Sequence, residues 1–113
     1  MTEFKYHNSS LYVEDVALEY IASKVGTPFY CYSVKMIKNN YEEFYNSLHN
    51  TNAHIHFSVK SNSNLAILKL LKSLGSGFDV VSGGELRRCM EIGAKPRDIV
   101  FSGVGKTIEE LNY

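Results

Sequence analysis

Between His54 and Lys60 apolar and polar residues alternate. Ile55, Phe57 and Val59 share one face, and His54, His56, Ser58 and Lys60 share the other. A period of two is that of a β-strand with one apolar side. The chain turns polar at Ser61-Asn62-Ser63-Asn64, which puts Lys60 at the carboxyl end of the strand. The period then lengthens. Residues 64–74 carry Leu65, Leu68, Leu71 and Leu74 on one helical stripe, with Gly75 after it. Phe78-Asp-Val-Val-Ser82 predicts a second strand, and 84–92 a second helix with Leu86, Cys89 and Met90 facing inward and Gly93 following. Asp98-Ile-Val-Phe-Ser102 predicts a third strand, and Thr107-Ile-Glu-Glu110 has the T-x-x-E spacing of a capping box that opens a third helix. Strands thus recur roughly every 22 residues, each followed by a helix, which implies parallel strands with right-handed crossovers.

The fold class is therefore α/β. A closed eight-stranded β/α barrel takes roughly 250 residues, so a chain of 113 reads as the first, incomplete part of such a barrel. Ahead of the repeat, residues 14–25 predict a short helix lined by Val16, Ala17, Tyr20 and Ile21, with Gly26 as its stop. Thr27-Pro28 breaks the chain, because the residue before proline is driven out of the helical region. Phe29-Tyr-Cys-Tyr32 is aromatic-rich and reads as a strand. Ser33 is a candidate N-cap for a helix over 34–49, whose Ile37, Tyr41, Phe44, Tyr45 and Leu48 would face a core. The organisation expected is an N-terminal segment, 1–33, followed by the start of the barrel, 34–113.

Composition narrows the classes. Lys plus Arg and Asp plus Glu each number 12, so formal net charge is zero and nothing favours a nucleic acid or an anionic membrane as partner. Apolar runs fall well short of a membrane span, and Met1-Thr-Glu-Phe-Lys-Tyr-His lacks the apolar core of a signal peptide, so the cytoplasm is expected. Cys31 and Cys89 are isolated, which suits reduced, partly buried thiols. His54 and His56 could chelate from one strand face, but a structural role accounts for them and no metal is proposed.

Three charged residues are candidates for chemistry. Lys60 is either a solvated strand-end charge or an amine held for reaction. Asp79 lies between Phe78 and Val80, so period two turns it away from the apolar face, where a cation on the neighbouring strand would pair it. Glu85 opens the second helix, where the helix dipole favours a negative charge whatever its role. Ser102-Gly-Val-Gly-Lys106-Thr107 invites a phosphate-loop reading, but the position of that loop's first glycine is Val100, so nucleoside triphosphate binding is rejected.

Three stretches in order, Phe57-Ser-Val-Lys60-Ser-Asn62, Gly75-Ser-Gly-Phe-Asp-Val-Val-Ser-Gly-Gly-Glu-Leu86 and Ile99-Val-Phe-Ser-Gly-Val-Gly-Lys-Thr107, resemble the diaminopimelate decarboxylase family. The wider group is the alanine-racemase-like barrel enzymes that use pyridoxal 5′-phosphate, including ornithine and arginine decarboxylases. Ser58 and Ser61 depart from the alanine usual there; both are small. The resemblance implies that Lys60 carries the cofactor on its ε-amine, which must be neutral to attack an aldehyde. It implies that Asp79 is the acid close to that lysine, and that Glu85 lies at the edge of the site. The substrate would be a small amino acid, meso-2,6-diaminopimelate, giving L-lysine, with another basic amino acid such as ornithine as the alternative. It also implies a homodimer and a second, β-rich domain that the strand near Phe29–Tyr32 joins. The ring-stacking histidine, the glycine-rich phosphate loop, the acid at the pyridine nitrogen and the residues that select substrate would follow Tyr113. The chain alone is then expected to be inactive, a non-catalytic gene fragment being the competing reading, and to expose apolar surface.

Overall fold

The computed structural model describes residues 2–113; Met1, the first residue of the N-terminal segment, lies outside the described residues. The chain divides into two compact units, Met1–Tyr41 and Glu42–Tyr113.

In the first unit, β1 (Phe4–His7) and β2 (Ser10–Val13) form an antiparallel hairpin, with Phe4 opposite Val13 and His7 opposite Ser10. Asn8 and Ser9 turn the chain with φ of 48° and 65°, the paired left-handed geometry that matches the twist of a two-residue hairpin. β3 (Val16–Ala17) adds to the far side of β2. The helix expected over 14–25 is thus shorter. Its first residues are a turn and a strand, Glu14 has φ of 53°, and α1 is Leu18–Val25. Gly26 ends α1 with φ of 80°. The expected strand at 29–32 does not form: Tyr30 and Tyr32 stack on each other with ring centres 6.5 Å apart, and no strand among the described residues lies alongside. Aromatic content favours a strand, but only a partner ladder makes one. α2 (Val34–Ser47) begins as expected at Ser33, whose Oγ accepts the Met36 N–H at 3.0 Å. Ser33 in turn donates to Glu14 at 2.7 Å, which with the Lys35 amide holds the Glu14 carboxyl below the usual range. The core-facing stripe expected on α2 is realised only in part: Ile37, Tyr41 and Leu48 are half-buried. α2 contains no fully buried residue, and Phe44 and Tyr45 are more than half exposed.

The second unit is the repeat. β4 (His56–Ser58), β5 (Gly77–Val80) and β6 (Ile99–Phe101) are parallel and adjacent in chain order. α3 (Leu65–Ser73) and α4 (Gly83–Glu91) make the crossovers, and α5 (Ile108–Asn112) follows β6. Register fixes the faces. Phe57, Phe78 and Ile99 form one row, and Ser58, Asp79 and Val100 the next. Since side chains alternate, the first row faces the helices and the second the opposite side. Phe78, Val80, Leu68, Val59 and Cys89 are fully buried and make the core with Leu71. Leu65 and Met90, assigned to inner stripes from the sequence, stay partly exposed at 38% and 50%.

The local sequence explains the helix starts. Asn64 caps α3 by accepting the Ala66 N–H, and Ser82 caps α4 by accepting the Glu85 N–H. Gly75 and Gly93 follow the helices with φ of 97° and 74°, where a side chain would be strained. Gly77 is required for another reason: a Cβ there would lie 2.7 Å from the Asp98 carbonyl oxygen and from the His56 ring.

Candidate functional site at the carboxyl edge of the sheet

The strand expected to run to Lys60 stops at Ser58, the last residue of β4 with a partner on β5. Val59–Ser61 form a single 3-10 turn closed by the Asn62 N–H on the Val59 carbonyl at 3.1 Å. Lys60 therefore stands in the turn at the strand's carboxyl end and does not continue the polar row of β4. Val59, beside it, is fully buried and anchors the turn, while Lys60 is exposed and makes no hydrogen bond or ion pair among the described residues.

Asp79 lies where period two puts it, opposite the face of Phe78 and Val80, half-buried beside Ser58. Its Oδ1 accepts the hydroxyl of Ser102, one residue past β6. Ser58 and Asp79 are register partners, and Lys60 is two residues past Ser58, so amine and carboxylate belong to the same edge of adjacent strands.

Glu85 is engaged in α4's own start. Its carboxylate accepts the Val81 N–H at 2.7 Å while its amide donates to Ser82, a capping arrangement that turns the acid back onto the β5–α4 loop. Glu110 completes the box on α5 by accepting the Thr107 N–H at 3.0 Å, and its other oxygen reaches the Gly83 N–H at 2.9 Å. These two bonds hold the Glu110 carboxyl below the usual range, the Gly83 amide contributing most. Arg88 donates to the Ser63 carbonyl at 3.2 Å, which ties α4 to the loop before α3. The three loops of this edge are thus linked through Arg88 and Glu110, contacts that local spacing could not reveal. Ser102 could have been found: it is two residues past Val100 and so continues the Asp79 face of β6.

Other candidates are accounted for structurally. Lys106 turns its ammonium onto the Gly103 carbonyl at 2.9 Å and lies over the Phe101 ring, so the glycine-rich turn closes on itself. Cys89 is buried with its thiol pushed up to about 11, chiefly by burial and secondarily by Glu85, which makes it a poor nucleophile. Among the described residues no three His, Cys, Asp or Glu side chains gather as for a metal ion, and no helix is long and apolar enough to cross a membrane.

Residues 34–113 match the family described as pyridoxal-dependent decarboxylase, pyridoxal binding domain; the chain belongs to that family. It is 47% identical over 111 residues to a diaminopimelate decarboxylase of Pseudomonas fluorescens, covering 98% of this chain and 27% of that protein. A diaminopimelate decarboxylase of Haemophilus influenzae is 40% identical over 111 residues, with the same shares covered. Among solved structures, a protein from Aquifex aeolicus superposes with a TM-score of 0.91 at 41% identity over 96% of this chain and 27% of that one. A diaminopimelate decarboxylase from M. jannaschii, crystallised with L-lysine, superposes at 0.85 and 35% identity, covering 98% of this chain and 28% of its own. The fold is the one anticipated, the opening β/α units of the barrel that these structures contain. The chain spans about a quarter of the length of the relatives it matches.

Proposed function

We propose that this chain supplies the lysine-bearing portion of an enzyme that decarboxylates meso-2,6-diaminopimelate to L-lysine with pyridoxal 5′-phosphate. The observation that carries this reading is the unpartnered amine of Lys60 at the carboxyl end of β4, where α/β folds collect their chemistry. The residues suit the cofactor. Lys60 offers an amine with no other partner for its aldehyde, and Asp79 offers a carboxylate with one oxygen unbonded for the positive charge that results. When bound, the cofactor supplies an electron sink for the bond to the departing carboxylate.

The chain's own residues do the rest. Lys60 must shed a proton at Nζ to react, and must regain one as the substrate amine takes its place. The 3-10 turn, pinned by Val59, keeps that nitrogen at the sheet edge throughout. Asp79 stabilises positive charge beside it. Glu85 borders the site and supports the β5–α4 loop through Val81, which is the role we assign it toward the cofactor. Residues 1–33 would lie on the side of a β-rich domain, with 34–113 opening the barrel. The assembled enzyme would be a cytoplasmic homodimer.

A second substrate is kept open by one observation. A lysine decarboxylase from Selenomonas ruminantium superposes with a TM-score of 0.81 at 27% identity, so the same opening units serve another basic amino acid. The test is to reduce the cofactor-loaded full-length enzyme with borohydride and to assay carbon dioxide release from diaminopimelate, lysine and ornithine. A pyridoxyl label on Lys60 and a preference for diaminopimelate are expected. A label on any other lysine would sink the assignment of Lys60, and a preference for lysine or ornithine would sink the choice of substrate.

A further inference from the structure

Asp79 has one oxygen already engaged, since Ser102 Oγ donates to its Oδ1 at 2.5 Å, while Oδ2 takes no bond among the described residues. Ser102 reaches it through backbone that has little room to shift. Its N–H donates to the Val80 carbonyl at 2.9 Å, extending the β5–β6 ladder beyond Phe101. The next residue, Gly103, runs so close to β5's end that a Cβ there would lie 2.6 Å from the Val81 carbonyl oxygen. Only glycine allows that approach, and the approach draws Ser102 across to Asp79.

We infer that Ser102 is a positioning residue of the cofactor site: its hydroxyl fixes Asp79 through Oδ1 and so determines which oxygen stays available to positive charge at Lys60. This rests on the function proposed above. A neutral donor suits the task, because it restrains the carboxylate without cancelling its charge, as an arginine or lysine partner would. Hydrogen bonds to a charged group are stronger than neutral ones. Losing this one corresponds to about a tenfold effect on whatever Asp79 stabilises.

The test uses the full-length holoenzyme with Ser102→Ala, Ser102→Thr, Asp79→Asn and the Ser102→Ala/Asp79→Asn pair. Cofactor affinity is measured by equilibrium dialysis, attachment at Lys60 by borohydride labelling, and kcat separately from KM. Ser102→Ala should weaken cofactor affinity about tenfold and lower kcat with KM little changed, and Ser102→Thr, which keeps the hydroxyl, should restore both. In the Asp79→Asn background Ser102→Ala should add nothing further, because it acts through Asp79. The inference is overturned if Ser102→Ala behaves as the unsubstituted enzyme, or if its effect multiplies in full with that of Asp79→Asn. Normal labelling of Lys60 with an indifferent Ser102→Ala sinks this inference alone; no label on Lys60 in the unsubstituted enzyme sinks the proposed function and this with it.

Discussion

Glu110 accepts the amide of Gly83 at 2.9 Å from 27 residues away, and so joins the first turn of α4 to the first turn of α5. Each of its carboxylate oxygens serves one helix start. Two of the three loops that border the carboxyl edge of the sheet are thereby held to one another by a surface acid.

This bond should be readable by pH. The Glu110 carboxyl is held below the usual glutamate range in the folded chain, so its two bonds stabilise the fold above the unfolded value and fade as pH falls through the folded one. The amide proton shift of Gly83 should therefore titrate with a midpoint below the ordinary glutamate value. Glu110→Gln should remove that titration while keeping an acceptor. An unchanged Gly83 titration in Glu110→Gln would show that another group is being followed.

How much of this was legible depended on the range of the interaction. Thr107 and Glu110 are three residues apart, so the capping box could be read from spacing, but the Gly83 partner of the same carboxylate could not. Asp79 was placed on its face by its neighbours Phe78 and Val80, since period two holds wherever a strand is paired. The strand expected to reach Lys60 is two residues too long, because the alternation runs on through Val59 to Lys60 whereas the ladder to β5 ends at Ser58. Tyr30 and Tyr32 show the converse: aromatic residues suited to a strand form none without a partner. The hairpin of β1 and β2 went unread, although Asn8-Ser9 supplies a residue type tolerant of positive φ at its turn.

Gly103→Ala should loosen the loop after β6, because its new Cβ would meet the Val81 carbonyl at 2.6 Å and backbone cannot step aside cheaply. Overpacking of this kind costs about 1–3 kcal/mol. Thermal unfolding should report that loss, and hydrogen exchange should show the Ser102 amide deprotected more than that of Phe78. Gly105→Ala meets nothing within 4 Å and is the matched control, expected to leave both unchanged.

The Cys89 thiol, pushed up to about 11, should resist alkylation in the folded chain at pH 8. Burial disfavours the thiolate, which is the reactive form. Iodoacetamide followed by mass spectrometry should label Cys31, which is only half-buried, well before Cys89, and denaturant should equalise the two. Equal rates in the native chain would contradict the burial of Cys89 on the inner face of α4.

Val59 and Lys60 are neighbours in one turn, yet they should separate stability from function. Val59 is fully buried, so Val59→Ala removes two methyl groups from the core and should cost about 2 kcal/mol. Lys60 is exposed and unpartnered, so Lys60→Ala should change stability by no more than about 0.5 kcal/mol. In the full-length enzyme the second substitution should nevertheless abolish covalent attachment of pyridoxal 5′-phosphate, while the first lowers the melting temperature and leaves the label in place. That reversal follows from geometry: the fold holds the turn through Val59, and Lys60 takes no part in holding it. A Lys60→Ala enzyme that unfolds, or one that still forms a borohydride-stable adduct at this turn, would contradict that division of roles.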